Sequence, residues 1–512
     1  MRPFAVRGSH LTIFFLAAVL AAGSSGCVPS DESSKRQSGG TSTTAAQGQP
    51  RTFRIVVSGD TRGFIVPCGC ASKQLGGLPR RATFLGSLSE DRLYVDAGGS
   101  AARAFEYDRL KVEFIWRGME SMSVAALNLG ASEVAFGKEF LDTAIAKADL
   151  PFVSSNVCDE NGVPLVPTFR RLEVGGARVA LLGVCSASYA GGEGLRLIEP
   201  KEALREPIEQ LRPGVDLLIL LAQAPEAELR VLAETYPELD AVLATGQSQP
   251  ISPRLLHERT LLAGVGIKGK FLASVPWHPE GGHPEGGPPE GERHRWVPGE
   301  GRIVEVADSI PEHAELTALV GEYQVALRNA SLPPEKTGEV VTLLASLPGD
   351  YRYAGSESCL TCHELEGDIW KKSPHAHGLE TLDEKGFEAD PYCVRCHTTG
   401  YGGPGGYRTL TERRTRGGVG CESCHGPSQA HMRSPETRST SARASEACIT
   451  CHDPENSPEF SFDVYWPKIV HGKRRKPEVL NSAAVGGSPD PPTQRAADEN
   501  HQRSNAGISK DE

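Results

Sequence analysis

Four stretches of one pattern decide the fold of the C-terminal part of this 512-residue chain. They read Cys359-Leu-Thr-Cys362-His363, Cys393-Val-Arg-Cys396-His397, Cys421-Glu-Ser-Cys424-His425 and Cys448-Ile-Thr-Cys451-His452. We number them blocks 1 to 4. At the Cys and His frequencies of this chain, chance predicts only about 0.01 such blocks. In a C-x-x-C-H block both thiols form thioether bonds to a porphyrin, and the adjacent His ligates its iron. The sequence therefore predicts four c-type haems, with the His of each block as the proximal ligand.

Structural zinc is the competing interpretation of the paired cysteines. Zinc explains the C-x-x-C pairs but not the His that follows every one of them. The first cysteines of successive blocks are 34, 28 and 27 residues apart, which leaves too little chain for an ordinary apolar core. We therefore expect a mostly helical domain in which closely stacked porphyrins serve as the core, an arrangement that permits electron hopping between irons.

The sixth iron ligands must come from outside the blocks. The same region holds four further histidines, His375, His377, His431 and His471. Four histidines for four irons permit bis-His ligation throughout, which generally gives lower potentials than Met ligation. His377 lies only two residues from His375 and is the candidate to face solvent. One iron would then be five-coordinate and open to a small molecule.

The blocks and their flanks resemble a family of tetrahaem cytochromes c, whose best-known members carry electrons from hydroxylamine oxidation in ammonia oxidisers. The similar segments are residues 356–363, 370–376, 393–401 and 419–427. The resemblance covers about residues 351–472 and implies a helical, haem-packed domain that shuttles electrons. It does not imply a role in nitrification.

Another pattern begins at Arg54, where short β-branched runs alternate with helical stretches. Strands are predicted at residues 54–58, 93–96, 133–136, 152–155, 179–184, 217–221, 241–244, 261–265 and 271–275. Strands that are apolar throughout, such as 217–221, favour sheets covered on both faces. We expect an α/β domain with layered αββα architecture, followed by a helix at 311–330 that links it to the blocks.

This α/β region resembles the exported metallophosphatases of the 5′-nucleotidase and UDP-sugar hydrolase type. Its matching landmarks, in chain order, are residues 55–63, 76–81, 95–98, 136–140, 220–223 and 245–249. A two-metal hydrolase needs Asp and His ligands for both ions, with Asn and His to position the phosphate. The resemblance places these groups at the ends of the predicted strands.

The expected ligands are replaced at these same landmarks. Asp60 is retained, and the substituted positions are Arg62, Gly99, Lys138, Gln223, Gln247 and Gln249. Because Gln is neutral and weakly basic, it is a poor ligand for divalent transition metals. We interpret the region as a metallophosphatase-like fold that lacks the hydrolase, and we keep an active metal-dependent phosphoester hydrolase as the alternative.

Cys68-Gly69-Cys70 follows the first predicted strand and lies next to the replaced metal position. A C-x-C pair can close a strained disulfide, and strained disulfides are more easily reduced. Some exported phosphatase-like proteins that this chain resembles carry a similar pair, which implies redox or soft-metal chemistry. The alternatives are a plain structural disulfide, or bridges to Cys158 and Cys185.

The N-terminus predicts export. Arg2 and Arg7 precede an apolar stretch at residues 11–22, which is too short to span a bilayer. Ser-Ser-Gly before Cys27 resembles a bacterial lipobox, with Cys27 as the lipidated first residue of the mature chain. An ordinary signal peptide is the alternative. Both predict an extracytoplasmic protein, and the lipobox a periplasmic or cell-surface one anchored to a bacterial membrane.

The predicted organisation is a leader at 1–27, a flexible tether at 28–51, the phosphatase-like domain at 52–278, a loop and linking helix at 279–350, the haem domain at 351–472 and a disordered tail at 473–512. The net charge of −11 argues against a nucleic-acid partner. We expect an electron carrier with protein redox partners or a small redox substrate. The alternative is an oxidoreductase that acts on a small molecule through a haem or the Cys68–Cys70 pair.

Overall fold

The computed structural model describes residues 50–67, 74–189, 191–280, 295–339, 351–437 and 444–472. The predicted leader with Cys27, nearly all of the tether, the Cys68–Cys70 pair and the predicted tail lie outside the described residues. The described residues all belong to one unit, Gln49–Glu512. Within them no helix has the length and apolar character needed to cross a membrane.

Fifteen strands form the α/β part of the described chain. They are β1 Phe53–Ser58, β2 Asp91–Asp96, β3 Ala126–Asn128, β4 Phe152–Val153, β5 Val157–Asp159, β6 Phe169–Val174, β7 Ala177–Cys185, β8 Leu195–Leu197, β9 Leu217–Gln223, β10 Ala241–Thr245, β11 Pro250–Leu256, β12 Thr260–Val265, β13 Phe271–Pro279, β14 Trp296–Pro298 and β15 Arg302–Glu305.

Two sheets carry most of these strands. The first has the order β14-β13-β1-β2-β3-β4, with β15 also paired to β13, and the second has the order β11-β12-β10-β9-β7-β6. Strands β1 to β4 run parallel, as do β7, β9, β10 and β12. The carboxyl ends of the parallel strands in each sheet therefore meet at one edge. Strands β5 and β8 form a separate antiparallel pair.

Helices cover both outer faces of the stacked sheets. They are α1 Leu78–Gly86, α2 Glu106–Ser121, α3 Ala131–Val134, α4 Lys138–Lys147, α5 Pro200–Ala203, α6 Arg205–Leu211, α7 Glu226–Thr235 and α8 Ala314–Ala330. Alternate residues of the strands, such as Ile55 and Ile219, are buried between the sheets, because side chains along a strand alternate faces. Helices α1, α2, α4 and α8 pack on the first sheet, and α6 and α7 pack on the second. The predicted αββα layering is confirmed.

One strand prediction is wrong. The sequence predicts a strand at residues 133–136, but α3 ends there, and β2 pairs instead with β3. The Glu133 carboxylate accepts a 3.1 Å hydrogen bond from the Gly130 amide at the start of this helix. Such a contact caps a helix N-terminus, and it outweighs the apolar run Val134-Ala-Phe136. The other predicted strands coincide with observed strands, with small differences at their ends.

The predicted linking helix is α8. Its buried face packs against α1 and α2 and carries Leu316, Leu319, Val320, Tyr323 and Leu327. Helical elements follow it in the block region: α9 Ser356–Leu360, α10 Glu364–Lys371, α11 Glu380–Asp383, α12 Pro391–His397, α13 Arg413–Arg416, α14 Cys421–His425, α15 Gln429–Arg433, α16 Ala444–Ile449 and α17 Phe462–Ile469. The described part of this region contains no strand longer than an isolated bridge.

Candidate functional sites: the histidine pairs and the Asp60 edge

Each block either lies on a short helix or begins near the end of one. Helix α12 contains block 2, α14 is block 3, and α9 and α16 lead into blocks 1 and 4. The His363 amide donates to the Cys359 carbonyl at 3.0 Å, and the His452 amide donates to the Cys448 carbonyl at 2.8 Å. Since residues three apart on a helix are neighbours, one turn brings both thiols of a block to the same side.

Three block histidines lie against histidines from outside the blocks. The pairs, with the separation of their ring centroids, are His363 and His431 at 6.3 Å, His452 and His375 at 6.1 Å, and His425 and His471 at 5.8 Å. A metal–nitrogen bond is about 2 Å long, and the centre of an imidazole lies about 1 Å behind its nitrogen. Two rings on one iron are therefore expected about 6 Å apart. All three separations fit an iron between the rings.

Burial favours the ligating form of these histidines. Loss of solvent lowers the pKa of His375, His425 and His452 below the ordinary value for histidine. In each case the largest cause is burial, which disfavours the charged imidazolium. Iron is bound by the neutral ring, so these side chains are prepared for ligation.

His397 of block 2 differs from the other block histidines. Across residues 351–437 and 444–472, no second histidine ring is paired with it as in the three pairs above. Its Nδ1 donates to the Gly378 carbonyl oxygen at 2.7 Å. Such a bond fixes the orientation of a ligating ring and leaves its Nε2 for the metal.

His377 lies at the surface, with 53% of its side chain exposed. Its Nδ1 is 2.9 Å from the Glu380 carboxylate, and its Nε2 is 3.1 Å from the Lys371 carbonyl oxygen. The hydrogen bond to Glu380 raises the pKa of His377. With both nitrogens engaged, His377 is not brought to any block histidine.

Large apolar side chains stand exposed around the blocks. Those between 38% and 68% exposed are Leu365, Ile369, Met432, Ile449, Val464 and Tyr465. Soluble proteins normally bury such groups, and a porphyrin face is apolar. The thiols, the histidine pairs and this apolar surface together fit covalently bound haem.

The blocks follow one another in space in a different order from the sequence. The Cys359 sulfur lies within interaction distance of the Cys421 sulfur, and the Cys396 sulfur lies within interaction distance of the Cys451 sulfur. Helix α14 packs against both α9 and α16. Neighbouring attachment points therefore run from block 1 to block 3, then to block 4, and end at block 2.

Glu422 is a positioning residue that sequence reasoning missed. It lies inside block 3 and is 2% exposed. Its carboxylate accepts hydrogen bonds from the Ala354 amide at 2.8 Å and the Gly355 amide at 2.6 Å, which precede α9, and from the Ser428 amide at 2.7 Å. The x positions of a C-x-x-C-H block carry no general signal, so the sequence pattern alone gave no reason to select it.

At the carboxyl edge of the first sheet, Asp60 forms a close ion pair. Arg62 donates from Nε and Nη2 to the two Asp60 carboxylate oxygens, each at 2.9 Å. Gln223 Nε2 lies 3.5 Å from Asp60 Oδ1. Burial raises the pKa of Asp60, and the hydrogen bonds from Arg62 oppose that rise. Both carboxylate oxygens are thus taken by a guanidinium.

Two of the other replaced positions at this edge have polar partners. Gln223 Oε1 accepts from the Ala131 amide at 2.6 Å, and Lys138 pairs with Asp142 at 2.6 Å. A Cβ on Gly99 would lie 2.8 Å from the Asp60 Cα, so a side chain there would require the neighbouring backbone to shift. In the described ranges no group of three or more His, Cys, Asp or Glu is arranged to hold a metal ion. Cys158 and Cys185 are buried free thiols.

A second carboxylate at the edge is more deeply buried. Asp96, at the end of β2, accepts from the Ser58 hydroxyl at 2.5 Å and from the Gly98 amide at 2.9 Å. The fully buried Arg81 guanidinium lies 3.9 Å from it. Burial raises the pKa of Asp96 to about 6, although Arg81 opposes the rise.

The block region docks on this same edge. The Phe64 ring meets the Tyr392 ring edge-on, with centroids 5.4 Å apart, and Tyr392 immediately precedes block 2. Lys268 and Lys270 both pair with Glu455, which follows block 4; the Lys270 contact is 2.9 Å. Blocks 2 and 4 therefore face the Asp60 edge.

A family model and a curated relative both match part of the chain. Residues 358–426 match the family model of cytochrome c554 and c-prime. The cytochrome c-554 of Nitrosomonas europaea is 35% identical over 97 residues, which is 16% of this chain and 41% of that protein. The chain thus spans about two fifths of the length of this curated relative. The C-terminal part matches the cytochrome c554 family, in agreement with the resemblance of the blocks.

Several solved structures that are similar to the chain are 5′-nucleotidases or phosphoesterases. A 5′-nucleotidase precursor from Thermus thermophilus has 16% identity and a TM-score of 0.47, covering 68% of this chain and 75% of its own. The sulfate thiohydrolase SoxB of the same genus has 14% identity and a TM-score of 0.45, covering 55% of this chain and 62% of its own. A calcineurin-like phosphoesterase from Bacillus subtilis has 15% identity and a TM-score of 0.42, covering 54% and 97%.

Proposed function

We propose that this protein is an exported c-type cytochrome that transfers electrons through four covalently bound haems. The observation that carries the proposal is the spacing of His363–His431, His425–His471 and His452–His375, which suits an iron between each pair. The haems supply one-electron chemistry. The chain supplies the thiols that attach them, the rings that ligate them and the close approach of the blocks.

Blocks 1, 3 and 4 hold bis-His irons in this proposal, and block 2 holds an iron with one histidine. His397 is its ligand, and its Nδ1 bond to the Gly378 carbonyl fixes the ring. Electrons pass between block 1 and block 2 by way of blocks 3 and 4, because this is the order in which their attachment points adjoin. His377 is a surface residue in this scheme rather than a ligand.

The α/β domain acts as a docking module and not as a hydrolase. Support comes from Arg62, which engages both oxygens of Asp60 where a phosphatase of the resembled type would hold a metal. It comes also from the block region, whose Tyr392 packs on Phe64 at the same edge. Export and lipid attachment at Cys27 rest on the leader sequence, and a redox role of Cys68 and Cys70 on their sequence alone.

The single histidine at block 2 supports a second candidate function. An iron with an unfilled position can bind a small molecule, so reduction or oxidation of such a substrate at block 2 is compatible with the same wiring. Both functions leave block 2 open to carbon monoxide, so they differ instead in whether the protein turns over a small redox substrate at that haem.

Metal analysis of the full chain, purified from a host that matures c-type cytochromes, tests the proposal. We expect four iron atoms per chain, with no stoichiometric zinc or manganese. Fewer than four irons would contradict the number of haems. Two further divalent ions per chain, with metal-dependent hydrolysis of nucleotides, would overturn the docking role and favour the hydrolase.

A further inference from the structure

Helix α12, which carries block 2, is held from outside the block region. Asp390 is its N-cap and accepts a 2.9 Å hydrogen bond from the Tyr392 amide. The hydroxyls of Tyr107 and Tyr323 donate to the same carboxylate, the second at 3.0 Å. Tyr107 lies on α2 and Tyr323 lies on α8. Two helices of the α/β layers therefore meet at one residue of the block 2 helix.

The Asp390 carboxylate is buried and lies close to the haem attachment. It is 5% exposed, and the Asp390 carbonyl accepts a 3.0 Å hydrogen bond from the Cys393 amide. The attachment thiol is thus one helical turn from the carboxylate. Three hydrogen-bond donors converge on this one carboxylate.

No cation pairs with this charge among the described residues. The nearby Arg395 and Arg103 both pair with Glu339. Lys111 stacks on the Tyr107 ring, 4.0 Å from its centre. Neutral donors therefore hold Asp390 in surroundings with little water, and the Lys111 ammonium lies over the Tyr107 ring rather than on the carboxylate.

We propose that Asp390 is a positioning residue whose buried negative charge lowers the reduction potential of the haem at block 2. A negative charge nearby opposes the gain of an electron by iron. For two unit charges about 12 Å apart at an effective dielectric constant of about 20, the effect is about tenfold in the electron-transfer equilibrium. The inference rests on the proposed function, because it requires a haem at Cys393 and Cys396.

The test is a redox titration of all four haems in the full-length protein. Asp390→Asn keeps the shape and hydrogen-bonding capacity of the side chain but removes its charge. We expect one of the four midpoint potentials to rise by about 59 mV, which corresponds to a tenfold change in the equilibrium constant of a one-electron couple. Glu384→Gln removes an exposed carboxylate from the same region and should move none of them, because water and salt screen an exposed charge.

Tyr107→Phe distinguishes an effect of the Asp390 charge from a purely structural role of Asp390. It removes one donor, leaves Tyr323 in place and exposes the haem to a less compensated carboxylate. The same potential should therefore fall, opposite in sign to Asp390→Asn. A shift of both variants in the same direction would overturn the inference, as would four potentials unchanged in Asp390→Asn. If Asp390→Asn does not mature, the sign in Tyr107→Phe decides. Fewer than four redox steps in the unmodified protein would instead contradict the proposed function.

Discussion

Arg62 donates two hydrogen bonds of 2.9 Å, one to each oxygen of the Asp60 carboxylate. A guanidinium and a carboxylate match in this bidentate geometry. Asp60 is nearly fully buried, whereas the Arg62 side chain is 39% exposed. The pair therefore neutralises a charge that the fold keeps at the edge of its sheet.

Arg62→Ala should lower the free energy of unfolding by about 1–2 kcal/mol. Breaking a buried ion pair costs about 3–5 kcal/mol, and the partial exposure of Arg62 reduces that figure because water can solvate part of the site. Denaturant unfolding measures the change. In an Asp60→Asn background the same substitution should cost less than half as much, since no buried charge is left unpaired. Equal costs in both backgrounds would contradict the role given to the pair.

His375→Ala should convert one low-spin haem into a high-spin haem while four irons remain bound. His375 faces His452, the proposed block 4 ligand, with ring centroids 6.1 Å apart, and its loss would remove one proposed axial ligand. Electron paramagnetic resonance of the oxidised protein measures the spin states. His377→Ala is the matched control two residues away, and it should leave the spectrum unchanged. A new high-spin signal in His377→Ala would show that His377 is a ligand.

Reduced protein should bind one carbon monoxide molecule per chain. Only His397 lacks a second histidine ring among the described block residues, so the proposed block 2 iron would keep an open position. Optical titration counts the bound gas, and His431→Ala should raise the number to two. The absence of binding in the unmodified protein would mean that another group occupies block 2.

Asp96 should make the stability of the α/β domain depend on pH. Its folded-state pKa of about 6 lies above the unfolded value of 3.8, so the folded chain holds this proton more tightly. The resulting stabilisation is fully present below pH 3.8 and is lost as pH rises through about 6. A shift of this size corresponds to about 3 kcal/mol.

Unfolding of Asp96→Asn across pH 4 to 7 measures that contribution. Because Asn does not titrate, the free energy of unfolding of the variant should fall less between pH 4 and 7 than that of the unmodified protein. Asp91→Asn, on the same strand but exposed, is the control and should keep the pH dependence of the unmodified protein. An unaltered profile in Asp96→Asn would rule out Asp96 as its source.

Local patterns predicted much of the fold. The apolar run at residues 217–221 became the buried strand β9, and the helical spacing from Leu316 to Leu327 became the buried face of α8. Both signals depend on neighbours within a few residues. The prediction failed at Glu133, where a hydrogen bond to the Gly130 amide starts a helix. A glutamate three residues after a helix start was the available signal.

The sequence does not predict which outer histidine faces which block histidine. The four candidates follow from composition, but His375 faces block 4, although block 2 is nearer in sequence. Such pairing is set by how the short helices stack. The same holds for Asp390, whose donors Tyr107 and Tyr323 are 283 and 67 residues away. No spacing rule connects positions so distant.

The convergence of α2, α8 and α12 on Asp390 bears on how the two halves of the gene can be inherited. In a haem region without the α/β domain, the Asp390 carboxylate would lose both of its phenol donors. An α/β domain alone would expose the faces of Tyr107 and Tyr323, which are 1% and 2% exposed in the whole chain. Recombination that replaced one half with a distant homologue would have to bring matching residues in the other. The buried contacts at Asp390 therefore tie each half to residues that only the other half supplies.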